Sequence, residues 1–317
     1  MLDGLGRKID YLRVSITDRC NLRCRYCMPH DIMNVSSGCI LRYEEVLRLC
    51  GILVTLGIQT VRITGGEPLV RKDAATLLAA MRQLPGVQRL AMTTNGTLLT
   101  QEQEVLSHLD AVNISLDTLS SERYRALTGK SALDDVLKGI DITISRGLSV
   151  RINCVLMRGV NDDEIVQLAA LAQDRPINVR FIELMPMGAG RDFERVSGAE
   201  VLKKIDARYA LTPVLADGHG PARYYGSADL MGKVGSIDAI GGHFCAECNR
   251  IRLTSEGYLK LCLYHEDGLD LRAMLRGGAT DVDMANAIER VMLRKPKGHR
   301  FGSAADEVLG GLSRIGG

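Results

Sequence analysis

Tryptophan is absent from this sequence, and aromatic residues make up only 4% of it. That scarcity excludes little. The missing charge excess excludes more: 40 basic against 38 acidic residues leave a net charge of +2. A chain that grips a nucleic-acid backbone usually carries a basic surplus, so no nucleic-acid partner is expected. Long apolar runs are missing too. The longest apolar-looking stretch, Leu49 to Ile58, is too short and interrupted to span a bilayer, so no membrane association is expected. The opening Met1-Leu-Asp-Gly-Leu-Gly-Arg-Lys8 has no apolar h-region and does not read as a secretory signal. These absences together predict a cytoplasmic protein. With 46% hydrophobic and 25% charged residues, the 317-residue chain has enough apolar content for a sizeable core.

Short β-branched runs alternate with helical patterns. Strands are predicted at Leu12–Ile16, Thr60–Thr64, Arg89–Thr93, Ala111–Ser115, Val150–Leu156 and Asn178–Glu183. Helices are predicted at Tyr43–Leu56, Ala74–Gln83 and Leu133–Ser145 by 3.6-residue spacing. Thr100 with Gln103, and Asn161 with Glu164, read as caps of further helices. Six β-then-α repeats argue for a parallel sheet under helices. Cys20, Gly65–Pro68, Thr93–Gly96, Ser115–Asp117 and Met185 all fall at or just after a strand end. Barrel enzymes build their sites from those loops, so the expected α/β fold is a partial (β/α)6 TIM-type barrel. After about residue 190 the rhythm changes. A hairpin at Ile251–Leu263 turning near Ser255-Glu-Gly257, and a helix between Asp283 and Leu293, suggest a smaller C-terminal extension. The expected division is 1–220 and 221–317. The tail from Gly302 is Gly- and Ser-rich and reads as mobile.

Six of the nine cysteines are clustered, which in a reducing compartment favours metal ligation over disulfides. Cys20-x3-Cys24-x2-Cys27 lies in the loop after the first strand. Three thiolates can hold three irons of a cubane, whose full ligation takes four cysteines, and leave one iron open to a chelating small molecule. A zinc site completed by His30 is the alternative. Cys245-x2-Cys248-x13-Cys262 repeats the pattern in the extension, with zinc completed by His265 as the alternative. On spacing alone both metals fit the second group. Cys39, Cys50 and Cys154 have no metal spacing and are expected as buried thiols.

The first triad, with Tyr26 before its last cysteine and Thr64-Gly-Gly-Glu-Pro68 after the second strand, resembles the radical S-adenosylmethionine superfamily. Over Asp3 to Gly317 the chain resembles the GTP 3′,8-cyclase family of molybdenum cofactor biosynthesis. Asp10–Pro29, Arg62–Arg71, Thr93–Gly96, Asn113–Leu119, Arg180–Met185, Cys245–Leu253 and the terminal Gly316-Gly317 carry that likeness.

The resemblance implies two 4Fe–4S clusters and S-adenosyl-L-methionine as cofactors, held at Cys20, Cys24 and Cys27 and at Cys245, Cys248 and Cys262. It assigns Tyr26, Gly66, Ser115 and Met185 to S-adenosylmethionine. It assigns Arg13, Arg62, Thr93, Arg151, Arg250 and Arg252 to GTP, bound also through the open iron of the second cluster. Arg151 falls where the family commonly has Lys; charge is kept while donor geometry changes. Guanidinium suits phosphate because it donates bidentately. Arg13 and the Gly316-Gly317 tail are assigned to catalysis. The implied reaction starts from reductive cleavage of S-adenosylmethionine and hydrogen removal at ribose C3′ of GTP. It continues through C3′–C8 bond formation to a cyclised dihydro-GTP, the first step of molybdopterin synthesis. Implied partners are a flavodoxin- or ferredoxin-like electron donor and a downstream cyclic pyranopterin monophosphate synthase, with the enzyme a monomer or homodimer. Alternatives from other classes are a peptide-modifying radical enzyme, which usually needs more cysteines, a tRNA-modifying radical enzyme, which the near-neutral charge disfavours, and a zinc-bearing binding module.

Overall fold

Strict two-residue alternation shapes the sheet. In Tyr11–Ser15 (β1), Leu12 and Val14 are buried against helices, while Tyr11, Arg13 and Ser15 face the other way. The same phase runs through Thr60–Thr64 (β2), Arg89–Thr94 (β3), Ala111–Ser115 (β4), Ser149–Leu156 (β5) and Ile177–Glu183 (β6). One face therefore packs the core, and the other lines a polar interior. The structure, a computed structural model, describes residues 1–28, 35–215, 220–241 and 244–301.

Helices cover the apolar face: Tyr43–Thr55 (α1), Ala74–Arg82 (α2), Ser121–Thr128 (α3), Leu133–Ser145 (α4), Ile165–Ala169 (α5) and Gly198–Tyr209 (α6). Leu49, Leu53, Leu77, Met81 and Ile140 from these helices meet the strands in one continuous core. Helix α3 is not in the sequence reading; Ser120 caps it by accepting from Arg123 N, and Gly129 closes it with φ 77°.

Six further strands follow: Thr212–Val214 (β7), Arg223–Gly226 (β8), Lys233–Ile237 (β9), Arg250–Leu253 (β10), Tyr258–Lys260 (β11) and Gly268–Asp270 (β12). They join the same sheet, whose order is β12-β11-β10-β1-β2-β3-β4-β5-β6-β9-β8-β7. β10 pairs parallel to β1 and β9 parallel to β6, so the extension lengthens the partial barrel at both edges. The expected hairpin is β10–β11, and the expected late helix is Asp281–Met292 (α8), which follows Leu271–Arg276 (α7).

Two expected helix caps fail. Thr100 and Gln103 cap nothing: a 3-10 helix runs over Gln103–His108, and the Gln103 amide donates to Thr100 O at 3.0 Å. Asn161 does not cap α5; it donates to Asp117 O at 2.8 Å and Val155 O at 2.9 Å. Glu164 accepts from Leu119 N and Thr118 Oγ1, both at 2.6 Å. Long-range partners won Asn161 and Glu164, whereas Gln103 turned back onto the local Thr100 carbonyl. A third correction concerns Cys39, which is half-buried in the 3-10 turn Ser37–Cys39, whereas Cys50 and Cys154 are fully buried.

Candidate active site

The inward faces of β1 to β6 surround one cavity of about 630 Å³, which runs from Asp10, Gln59 and Gln88 before the first strands to Cys20, Gly66 and Asn95 after them. Residues from β10, β1 to β6, β9 and β8 all line it, so the sheet curls around the space. Cys20, Cys24, Cys27, Tyr26, Gly66, Ser115 and Met185 line it, as do Arg13, Arg62, Thr93, Arg151, Arg250 and Arg252. The residues expected at the first cluster, S-adenosylmethionine and GTP thus share one cavity, whereas Cys245, Cys248 and Cys262 are not on its lining. Cys245, Cys248 and Cys262 are represented on the lining by their neighbours Phe244, Arg250 and Leu263. Gly316, Gly317, the tail from Gly302 and His30 lie outside the described residues.

The loop carrying the first triad is tied to three neighbouring strand ends. Gly66 N donates to Thr17 O and Glu67 N to Arg19 O, both at 2.8 Å. A Cβ on Gly66 would overlap the Arg19 carbonyl and sit 2.8 Å from Asp18 O. The glycine is therefore required by packing against the cysteine loop itself, a closer approach than a ligand alone would demand. Asn95 donates to Asn21 Oδ1 at 2.8 Å and reaches Cys20 Sγ at 3.8 Å. Leu22 N donates to the same sulfur at 3.4 Å. Tyr26 OH donates to Asp117 Oδ2 at 2.8 Å, and Asp117 Oδ1 accepts from Val155 N at 2.8 Å.

Electrostatics around this triad are acidic. Burial, then Cys27, Asp117 and Cys20, hold the Cys24 thiol well above its ordinary value, and burial pushes Cys27 up to about 12. Burial raises the carboxyl of Glu67 to about 7 and that of Asp117 to about 6. Without metal these surroundings keep the thiols protonated; thiols bound to metal are deprotonated outright. Amide donors on Cys20 Sγ suit a cluster thiolate.

Opposite lies a basic wall. Parallel register sets Arg252, Arg13 and Arg62 side by side on β10, β1 and β2, one strand spacing apart. Burial and the neighbouring arginines push Arg13 well below its usual range, and burial and Arg250 bring Arg252 down to about 10. Such mutually repelling cations favour a polyanionic ligand. Thr93 Oγ1, Asn113 Oδ1 and Arg250 Nε are buried without a hydrogen-bond partner.

Among the lining residues that sequence reasoning gave no role are Arg180, Asn153, Tyr224 and Tyr11. Arg180 donates to Asn153 Oδ1 at 3.0 Å, and Tyr224 hydrogen-bonds both Arg180 and Arg151. Tyr11 hydrogen-bonds Arg62. Arg180, Asn153 and Tyr11 share the alternation phase of Arg151 and Arg13, a signal present in the sequence. Tyr224 comes from β8 and had none.

The second triad starts in the 3-10 turn Phe244–Glu247 and ends just after β11. Burial raises Cys248, but Lys295, Arg250 and Arg7 outweigh it and bring the thiol below its usual value. His265 Nε2 lies 3.0 Å from Gly298 O. Among the described residues no three His, Cys, Asp or Glu side chains are grouped closely enough for a single ion. A lone zinc would need donors about 2.0–2.3 Å from one point. Buried Met187 and Tyr264, with Met185, Leu263 and Phe301, form an apolar patch that touches both Cys27 and Cys262. The two triads therefore flank one cavity across an apolar seam. Neither thiolate triad contradicts a cubane with one open iron, and the donor chemistry fits.

Residues 14–172 match the Radical SAM superfamily model, and residues 177–301 match Molybdenum Cofactor Synthesis C. A GTP 3′,8-cyclase of Heliobacterium modesticaldum is 45% identical, covering 100% of both chains. One from Geobacter sulfurreducens is 41% identical over 100% of this chain and 99% of its own. GTP 3′,8-cyclase 2 of Pseudomonas aeruginosa is 39% identical over 100% and 98%. The fold is similar to Streptococcus suis SuiB bound to S-adenosylmethionine, with TM-score 0.61 and 14% identity over 93% of this chain and 73% of that one. On this geometry and these matches, the chain belongs to the GTP 3′,8-cyclase family of the radical S-adenosylmethionine superfamily.

Proposed function

We propose that this chain converts GTP into (8S)-3′,8-cyclo-7,8-dihydroguanosine 5′-triphosphate, opening molybdenum cofactor synthesis. One observation carries the reading: a single cavity joins the superfamily's cysteine loop to a row of three arginines on adjacent strands. When bound, the first cluster and S-adenosylmethionine supply the hydrogen-abstracting radical chemistry. The protein supplies placement and dryness.

In this reading Cys20, Cys24 and Cys27 hold the first cluster, with Tyr26, Gly66, Ser115 and Met185 at the S-adenosylmethionine. Arg13, Arg62, Arg151, Arg250 and Arg252 neutralise the triphosphate, and the partnerless Thr93 hydroxyl offers a further contact. Cys245, Cys248 and Cys262 would hold the second cluster, which would supply a binding point for the guanine. In this reading residues 1–220 hold the cofactor and part of the triphosphate, and residues 221–317 the second cluster and the remaining arginines. The apolar seam of Met185, Met187 and Leu263 limits water between the two ends. Holding ribose C3′ near C8 converts ring closure into an intramolecular step. The family likeness assigns the Gly316-Gly317 tail, which lies outside the described residues, to catalysis. A flavodoxin- or ferredoxin-like donor supplies electrons, a cyclic pyranopterin monophosphate synthase consumes the product, and the cytoplasm supplies GTP. Among the described residues, no helix is long and apolar enough to cross a membrane.

The test is anaerobic incubation of the reduced, iron-loaded protein with S-adenosylmethionine and GTP. The expected result is 5′-deoxyadenosine with an isomer of GTP in matching amounts. Formation of 5′-deoxyadenosine without a GTP-derived product would contradict the substrate.

A further inference from the structure

Beyond α8 the chain turns back over the second triad through Lys295-Pro-Lys-Gly-His299. A Cβ on Gly298 would lie 3.3 Å from Cys245 Cβ, so this segment packs directly on the first cysteine. Lys295 is only 4% exposed. Its ammonium donates to Arg250 O at 2.8 Å and also to Leu261 O. Those two carbonyls belong to the segments that deliver Cys248 and Cys262. The lysine therefore stitches both halves of the triad together.

Its charge is the unusual feature. Among the described residues, no carboxylate stands at ion-pair distance from this ammonium. The acid nearest in influence is Asp3, which Arg7 Nε already binds at 2.6 Å. The stronger attractions are to Cys248 and Cys262. Arg7 differs. It also touches the triad's surroundings, donating to Cys245 O at 2.7 Å and Pro296 O at 2.8 Å, but Asp3 neutralises it. A buried ammonium with only neutral carbonyl partners is strongly disfavoured unless an anion faces it. Three thiolates outweigh the charge of an oxidised cubane core, so the assembled group is an anion.

We propose that Lys295 is the buried counter-cation of the second cluster: a fixed positive charge that raises the cluster's reduction potential and makes its open iron a better acceptor for the guanine. Lys295 is a positioning residue, acting through the cluster and its two carbonyl contacts. Charge near a cluster and hydrogen bonding around its ligands are the protein's main levers on potential. The inference rests on the second triad holding an iron–sulfur cluster.

The experiment is a potentiometric titration followed by electron paramagnetic resonance, on the full chain loaded with iron and sulfide. Wild type, Lys295→Gln and Lys295→Arg are compared, and the second-cluster signal is assigned by its loss in Cys245→Ser. Lys295→Gln should make the second cluster harder to reduce by at least about tenfold, or 59 mV for a one-electron couple. The first-cluster signal should stay put, and Lys295→Arg should remain within about twofold of wild type. An unchanged second cluster in Lys295→Gln, or an equal shift in Lys295→Arg, would overturn the proposal. If Lys295→Gln carries only half the wild-type iron, full loading of Lys295→Arg supports it, and failure of both overturns it. Wild type that itself carries half the expected iron and no second signal would remove the premise, a different failure read from the same samples.

Discussion

Around Cys20, Cys24 and Cys27 the buried ionisable neighbours are Asp117 and Glu67, opposed weakly by Arg23. Around Cys248 they are Lys295, Arg250 and Arg7. The same spare donor set, three thiolates, is thus held in opposite fields. Reduction adds an electron to a cluster. Nearby carboxylates make that costlier and nearby cations make it easier, and both effects are strong where water is excluded. A site that must give an electron to a sulfonium gains from the first setting. A site that must hold a base on an open iron gains from the second. Identical ligands thereby acquire different tasks from what surrounds them.

Exchanging one ligand in each triad should produce the largest difference. Cys24→Ser should lower 5′-deoxyadenosine formation by more than about a hundredfold, since even outer partners of a metal site are worth 10–100-fold. Cys245→Ser should retain it while losing cyclised GTP by a similar factor. Liquid chromatography of both products from one anaerobic reaction reads the split. Equal loss of both products in Cys245→Ser would erase the distinction between the triads.

A smaller effect should follow at Asp117. Its carboxyl, raised by burial to about 6, is ionised at neutral pH. Asp117→Asn keeps an acceptor for Val155 N and a partner for Tyr26 OH, yet removes the charge. The first cluster should become easier to reduce by about tenfold, opposite in sign to the change at Lys295. A shift in the same direction as Lys295→Gln would break the electrostatic comparison.

Much of this was legible in the sequence. β2 and β4 match their expected bounds residue for residue, because alternation of Val61, Ile63, Val112 and Ile114 with polar residues admits one reading. The loop residues at strand ends gave the cavity rim. The parallel joining of β9 to β6 and β10 to β1 was not legible: such pairings connect distant segments and leave no local periodicity. Lys295 and Arg7 lie far along the chain from the cysteines they serve, and nothing in their own neighbourhoods marks them. Asn161 and Glu164 read as a cap because local spacing cannot show that Asp117, Thr118 and Leu119 compete for them.

The smallest predicted effect concerns pH and belongs to the basic wall. Burial raises the Tyr11 phenol, but Arg62, Arg13 and Arg250 outweigh it and bring it down to about 8. Above that pH the free enzyme holds a phenolate among its arginines. Triphosphate binding claims the same cations and restores the neutral phenol, so binding takes up a proton and weakens as pH rises through 8. KM for GTP should climb several-fold between pH 7 and about 9, while Tyr11→Phe should flatten the profile. A persistent slope in Tyr11→Phe would assign the titration to another group.

The opposite fields of the two triads are tested most directly by titrating the unmodified holoenzyme without S-adenosylmethionine or GTP, following both cluster signals by electron paramagnetic resonance. The second cluster should be reduced first, at the higher potential. Reduction of the first cluster ahead of the second would contradict it.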